Sequence, residues 1–280
     1  MPLNLTPYAP LVERIGGHAL PLYLAALPAL LLAVTLLWTL VRRFTVPRDD
    51  SALPPPAYLL VRLAFSFVVV VVGAWLFAEL AEQLANAGDA QRMGKLDDLL
   101  SAAVGRSLPP MALQFFATVT HLADTATLST LGVVVAALLV WRQHRWLALG
   151  WGVALVGNAL LNVTLKGIFE RTRPLHDTAL FQPQGWSFPS GHSSGAVVAY
   201  GMLAYVLLRT WPPAMTRWPG LSVVLAASAV AFTVGCSRVF IQVHYASDVL
   251  AGFASGGVWL AVCIISMELT QHYRQRPPMP

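Results

Sequence analysis

The chain has 280 residues, of which 56% are hydrophobic and only 11% are charged, against about 25% charged in an ordinary soluble domain. That shortage argues against a soluble globular protein and against a disordered chain. The formal charge of +5 comes from sixteen Arg and two Lys against thirteen acidic residues, and the cations are scattered, so no polybasic face for nucleic acid is expected.

Residues 20–41 carry no charge at all. A bilayer core of about 30 Å needs about 20 apolar residues in a helix, so this stretch is predicted to cross a membrane. It is too long for a signal-peptide core and lacks a charged leader. Residues 58–80 form a second span, with Arg62 and Glu79 near its ends, where charges can snorkel to the interface. A polar stretch follows at 81–110, carrying Glu82, Asp89, Arg92, Lys95, Asp97, Asp98 and Arg106, with Leu96, Leu99, Leu100 and Val104 at helical spacing. It is predicted to be a short amphipathic helix on the membrane surface, its charges a solvated face; a role in admitting substrate is the sharper alternative.

The next spans are 126–141 and 146–165. The first is short, so it should begin upstream, within 111–125. Residues 193–208, 221–236 and 249–267 complete seven apolar segments. Lipid permits only helices or closed barrels, and these continuous runs do not alternate as barrel strands do. The expected fold is therefore an all-α polytopic transmembrane helix bundle. Its parts are N-terminal spans with the polar insert (1–110), a core bundle (111–268) and a cytoplasmic tail (269–280). Cys236 and Cys263 sit inside apolar runs and read as small buried residues, without the spacing of a disulfide framework or zinc site.

Arginines in the loops set the orientation. One side holds nine cations: Arg42, Arg43, Arg48, Arg142, Arg145, Arg209, Arg217, Arg274 and Arg276. The other holds eight: Arg14, Arg92, Lys95, Arg106, Lys166, Arg171, Arg173 and Arg238. Setting the last four aside as binding-site residues leaves nine against four, which puts the first set in the cytoplasm. The N-terminus is then expected outside.

Ionisable residues at membrane depth are functional candidates by default. Three clusters stand out: Lys166 to Pro174 after the fourth span; Pro189, Ser190, Gly191 and His192 before the fifth; and Ser237, Arg238, His244 and Asp248 between the sixth and seventh. Chain parity brings all three to one side. Lys166, Arg173 and Arg238 supply cations and forked donors suited to phosphate oxygens. Ser190 is a good N-cap, and Gly191 with the free N–H groups behind it adds an anion site at a helix start. If the seventh helix begins near Val243, His244 and Asp248 lie at i and i+4 on one face, the arrangement of a nucleophilic or basic histidine oriented by a carboxylate. Arg171 and His176 read as interface anchors, and His18, His121, His144 and His272 are expected to carry no chemistry. No carboxylate pair or His/Cys set has metal-ligand spacing, so neither a metal nor another cofactor is expected.

At these positions the sequence resembles the phosphatidic acid phosphatase type 2 superfamily. Lys166-x6-Arg173-Pro174, Pro189-Ser190-Gly191-His192 and Ser237-Arg238-x5-His244-x3-Asp248 match its three motifs without departure, within a similarity spanning about residues 115–267. The resemblance implies a metal-independent phosphatase in which His244 is the nucleophile, Asp248 orients it and His192 protonates the leaving oxygen. Lys166, Arg173, Ser190, Gly191 and Arg238 would hold the phosphate oxygens. The implied partners are the bilayer and a lipid phosphate, with undecaprenyl diphosphate favoured over phosphatidate and phosphatidylglycerol phosphate. A lipid phosphotransferase is an alternative within the family. An anion transporter is a weaker one, since it would not need His192, His244 and Asp248 together. Asp248 and bound phosphate are expected to displace both limbs of a bell-shaped pH profile upward. Oligomeric state is not legible.

Overall fold

The computed structural model describes residues 8–45, 55–174, 184–212 and 218–274. Of the residues weighed above, Arg48, His176, Arg217 and Arg276 lie outside these. No strand occurs among the described residues. A short helix α1 (Ala9–Gly17) leads into α2 (Ala19–Thr45), α3 (Pro55–Ala85), α4 (Ala87–Ser107) and α5 (Pro110–Val119). A 3-10 turn (Thr120–Ala123) then precedes α6 (Thr125–Trp141), α7 (Arg145–Phe169), α8 (Gly191–Thr210), α9 (Trp218–Phe240) and α10 (Ala246–Arg274).

Among the described residues six helices (α2, α3, α7, α8, α9 and α10) are each long and apolar enough to cross a membrane, and α5, the 3-10 turn and α6, bent by 43°, pass the same test only as a pair, a seventh span if counted as one. The third apolar span thus begins upstream, as its shortness predicts, but it is broken. Asp124 at the break has φ −61° and ψ 150°, an extended conformation that no helix can run through.

The apolar windows of α2 and α3 have no buried residues, whereas half of the α8 window is buried. Helix α8 is therefore the axis of the bundle, and the apolar windows of α2 and α3 lie at its periphery. Lipid supplies no hydrophobic drive for helix association, so close packing must do it, and small residues permit it. Gly252 and Gly256 of α10 supply that closeness. A Cβ at Gly252 would lie 2.6 Å from the Ser190 carbonyl oxygen and 2.9 Å from Ser193 Cβ, and one at Gly256 would lie 2.9 Å from Ser194 Cα. The α8–α10 crossing is thereby fixed beside Ser190.

Two further contacts tie the bundle together. Trp151, Val198, Met202, Cys263 and Met267 form one core among α7, α8 and α10, where Trp151 Nε1 donates to the Gly132 carbonyl at 2.8 Å. A second core joins Tyr23, Val104, Phe116, Phe240 and Val243. There the Tyr23 ring stands edge-on to Phe116 and Phe240, at 5.1 and 5.9 Å, and its hydroxyl shares a 2.9 Å hydrogen bond with Thr233 Oγ1.

In the polar stretch Glu82, Asp89, Arg92, Lys95, Asp98 and Arg106 are exposed, as a solvated face requires, but helix α4 departs from that reading at Asp97 and on its other face. Asp97, Ser101, Ala103 and Val104 are buried. Ser107 Oγ donates to the Gly16 carbonyl at 2.9 Å, bracing α4 against α1. Along its other side α4 touches α9 and α10 where these helices meet.

Candidate active site

The C-terminus of α7, the N-terminus of α8, the C-terminus of α9 and the N-terminus of α10 converge at one end of the bundle. The chain leaves α7 at Glu170, which takes the left-handed conformation (φ 44°) that closes helix ends, its N–H donating to the Lys166 carbonyl at 3.0 Å. Residues 171–174 follow without regular secondary structure.

His244 lies in the turn before α10, so the expected i, i+4 pair along one helix is not what the structure shows; α10 begins at Ala246. The pair meets nevertheless. Asp248 occupies the third helical position and reaches back, accepting from the Tyr245 N–H at 3.1 Å with Oδ2. This is the carboxylate half of a capping box. The same Oδ2 stands 3.3 Å from His244 Nδ1. On the other side of the ring, Arg173 NH1 lies 3.1 Å from His244 Nε2. A guanidinium can only donate, so Nε2 accepts and Nδ1 carries the proton toward Asp248. Both His244 and Asp248 are almost fully buried. Burial, with the charges of Arg238, Arg173 and Lys166, holds the His244 imidazole well below its ordinary pKa. Desolvation and the neighbouring cations thus act against the upward displacement expected of Asp248 and bound phosphate.

The basic residues converge on this ring. Arg173 Nε donates to the Gly185 carbonyl at 2.9 Å, NH1 to that of Val243 at 2.9 Å, and NH2 to that of Trp186 at 3.2 Å. Lys166 Nζ shares the Trp186 carbonyl at 2.9 Å. Arg238 is buried and donates through NH1 to Thr120 Oγ1 at 2.7 Å, while its buried Nε has no hydrogen-bond partner among the described residues. Ser190 caps α8: its Oγ accepts from the Ser193 N–H at 3.4 Å, and its own N–H donates to the Asp248 carbonyl at 2.9 Å. Gly191 opens the helix against Asn162, whose Oδ1 would lie 3.0 Å from an added Cβ. Ser237 spends its hydroxyl on the Val234 carbonyl of its own helix, at 2.6 Å. All eight candidate residues thus stand at one end of the bundle.

Six residues to which the sequence assigns no catalytic role join them. Arg171, read above as an anchor, donates through NH1 to Asp248 Oδ1 and Ser247 Oγ, both at 2.7 Å, and through NH2 to Asp97 Oδ2 at 2.8 Å. Burial alone would lower the Arg171 pKa, but the Asp248 and Asp97 carboxylates outweigh it and raise it. Asp97 also accepts from Ser247 Oγ, and burial leaves its carboxyl above the usual range despite Arg171. Asp98 accepts from the Tyr245 hydroxyl at 2.8 Å. Gln242, at φ 59°, donates to the Ser101 carbonyl at 2.9 Å. Helix α4 therefore clamps the His244 turn at three points. His121, expected to be inert, sits with Asp124 beside His192: Asp124 Oδ1 is 2.9 Å from His192 Nε2, and Oδ2 is 2.6 Å from His121 Nδ1. Among the described residues, no group of three or more His, Cys, Asp or Glu is disposed to hold a metal ion.

A family model described as the PAP2 superfamily matches residues 145–271. Phosphatidylglycerophosphatase B of Bacillus subtilis (strain 168) is 34% identical over 161 residues, 57% of this chain and 77% of that protein. An undecaprenyl-diphosphatase of Sulfolobus acidocaldarius is 29% identical over 142 residues, 49% of this chain and 63% of that one. The crystal structure of a transmembrane PAP2 type phosphatidylglycerolphosphate phosphatase from Bacillus subtilis superposes with a TM-score of 0.63 at 27% identity, covering 75% of this chain and 98% of that chain. A bundle of membrane-crossing helices with a buried histidine–aspartate pair among basic side chains defines an integral membrane phosphohydrolase. The chain belongs to the PAP2 superfamily.

Proposed function

We propose that this protein hydrolyses lipid phosphates or diphosphates through a phosphohistidine on His244, without a metal. One observation carries the reading: His244 is held between Asp248 at Nδ1 and Arg173 at Nε2. That fixes the neutral tautomer with its lone pair directed at the basic cluster, where phosphate oxygens would bind. The buried, unpartnered Nε of Arg238 supports an anionic ligand, because a buried donor ordinarily has an acceptor.

In this reading Lys166, Arg173, Arg238 and the N-terminus of α8 at Ser190 and Gly191 hold the phosphoryl oxygens. His244 Nε2 attacks phosphorus, the bond to the leaving oxygen breaks, and His192 gives that oxygen its proton. Water then attacks the phosphoryl group, His192 takes a proton from it, the P–N bond breaks and inorganic phosphate leaves.

A hydrocarbon tail has a place nearby. An apolar groove of about 570 Å³ runs between α8, α9 and α10, lined among others by Val197, Gly201, Ala204, Ala227 and Phe253. Val197 is five residues beyond His192 on α8, about 7.5 Å along the axis. Each CH₂ buried there favours binding by about 0.8 kcal/mol. The site lies at the Lys166 end of α7, opposite the Arg142–Arg145 turn, and the arginine distribution supports the reading that it opens on the extracytoplasmic face of a bacterial plasma membrane. Two headgroups are carried by relatives. Phosphatidylglycerol phosphate is favoured by the relative of higher identity and coverage and by the solved structure. Undecaprenyl diphosphate is favoured by the Sulfolobus relative.

The test is rapid quench with phosphorus-labelled lipid substrates of both kinds in detergent. An acid-labile, base-stable adduct should form on wild-type protein and be absent in His244→Ala, which should also lose turnover. Near-normal turnover in His244→Ala would refute the mechanism. Release of free phosphate, as opposed to a newly phosphorylated lipid, separates hydrolysis from phosphotransfer.

A further inference from the structure

Asp124 stands at the N-cap of α6, where an aspartate normally turns its carboxylate to the first free N–H groups of its helix. Here it makes no side-chain cap. Both oxygens are spent on imidazoles instead: Oδ1 at 2.9 Å from His192 Nε2 and Oδ2 at 2.6 Å from His121 Nδ1. The break in the bent span is what makes this possible, since a continuous helix through Asp124 would point its side chain along a helix face. A second contact steadies the arrangement: Thr127 Oγ1 donates to the His121 carbonyl at 2.7 Å. The Tyr200 hydroxyl of α8 donates to the Leu122 carbonyl, also at 2.7 Å, locking the 3-10 turn to the helix that carries His192.

We infer that Asp124 is the positioning residue for His192, with His121 behind it, and that His192 exchanges its proton with the substrate through Nδ1. The carboxylate accepts the Nε2–H at every stage, so the ring cannot rotate and Nε2 keeps its proton. The proton that moves is then the one on Nδ1. It passes to the leaving oxygen as the P–O bond breaks and His244 Nε2 bonds to phosphorus. It is replaced from the water that later breaks the P–N bond. This inference rests on the proposed role of His192 as the acid.

The experiment compares Asp124→Asn and Asp124→Ser in wild-type and His192→Ala backgrounds. Asn and Ser both remain good N-caps for α6, so folding is protected, and a melting curve in detergent checks it. In the wild-type background kcat on a lipid phosphate should fall, by at least about tenfold and at most by the 10²–10⁴-fold that a general acid contributes, with KM little changed. On p-nitrophenyl phosphate, whose leaving group needs little protonation, the loss should be several-fold smaller. In the His192→Ala background neither substitution should reduce kcat further. Equal losses on both substrates, or losses that multiply with that of His192→Ala, would show that Asp124 acts otherwise and overturn the inference. A His192→Ala protein with unimpaired turnover would refute the acid role itself and this inference with it; that result is read without any change at Asp124.

Discussion

Replacing Arg171 by Met keeps the length of the side chain and removes its charge. In the structure that charge lies between two carboxylates: NH1 contacts Asp248 Oδ1 at 2.7 Å and NH2 contacts Asp97 Oδ2 at 2.8 Å, with the guanidinium 4.3 Å above the Tyr245 ring. The side chains are 10% exposed at Arg171, 9% at Asp97 and fully buried at Asp248, so solvent screens little of this. Removing one member of a buried ion network leaves the others uncompensated and costs about 3–5 kcal/mol. Arg171→Met should destabilise the protein by that order. It should also lower turnover, because Asp248 would no longer be held ionised against His244 Nδ1.

The decisive comparison is Asp97→Asn. In the wild type it loses charge-assisted hydrogen bonds from Arg171 and Ser247, each worth about 1.5–3 kcal/mol, and should destabilise. In Arg171→Met the same change removes one of two facing carboxylates and should stabilise, a coupling of about 0.5–3 kcal/mol. Denaturation in detergent of the four proteins, with phosphate release measured alongside, reads both effects. If Asp97→Asn costs the same in both backgrounds, Asp97, Arg171 and Asp248 are not one network and the account of α4 as a support for His244 is wrong.

Because burial and the cations Arg238, Arg173 and Lys166 depress His244, the acid limb of kcat/KM should fall below about pH 6.5, the ordinary histidine value. The unfolded chain then takes up a proton as pH drops below about 6.5 while the folded one does not, so stability falls with pH by up to about 1.4 kcal/mol per unit. His244→Gln should flatten that slope in pH-dependent melting, and an unchanged slope would refute the assignment. Gly252→Ala should cost about 1–3 kcal/mol and reduce activity, because the added methyl meets the Ser190 carbonyl; the check is melting and turnover of the one variant, and a neutral result would mean the α8–α10 crossing is looser than described. Ala227→Phe narrows the apolar groove and should raise KM for long-chain lipid phosphates while sparing p-nitrophenyl phosphate, equal effects on both arguing against the groove as a tail site.

The phosphate-binding candidates were legible because each sits in a short segment next to a span end. Lys166 lies in the last turn of α7 and Arg173 follows it, Ser190 to His192 open α8, and Arg238 to Asp248 bridge α9 and α10. Lipid forces the spans, spans force parity, and parity brings the segments to one end. The supporting carboxylates have no such constraint. Asp97 meets Arg171 across 74 residues and Ser247 across 150, and Asp124 meets His192 across 68. A carboxylate needs only to present one oxygen about 3 Å from its partner, and any helix passing the site can do so from any register. A buried aspartate on an amphipathic helix reads in sequence like a solvated one, and an aspartate before an apolar run reads like a cap. Both Asp97 and Asp124 precede residue 145, where the family match begins. The segment that carries the candidate phosphate site and the helices whose aspartates contact it are therefore separable in sequence while meeting in space. Arg171 is the exception that could have been found. It stands two residues before Arg173 in the short segment that leaves α7, so the parity of the spans already brought both guanidiniums to the same end of the bundle.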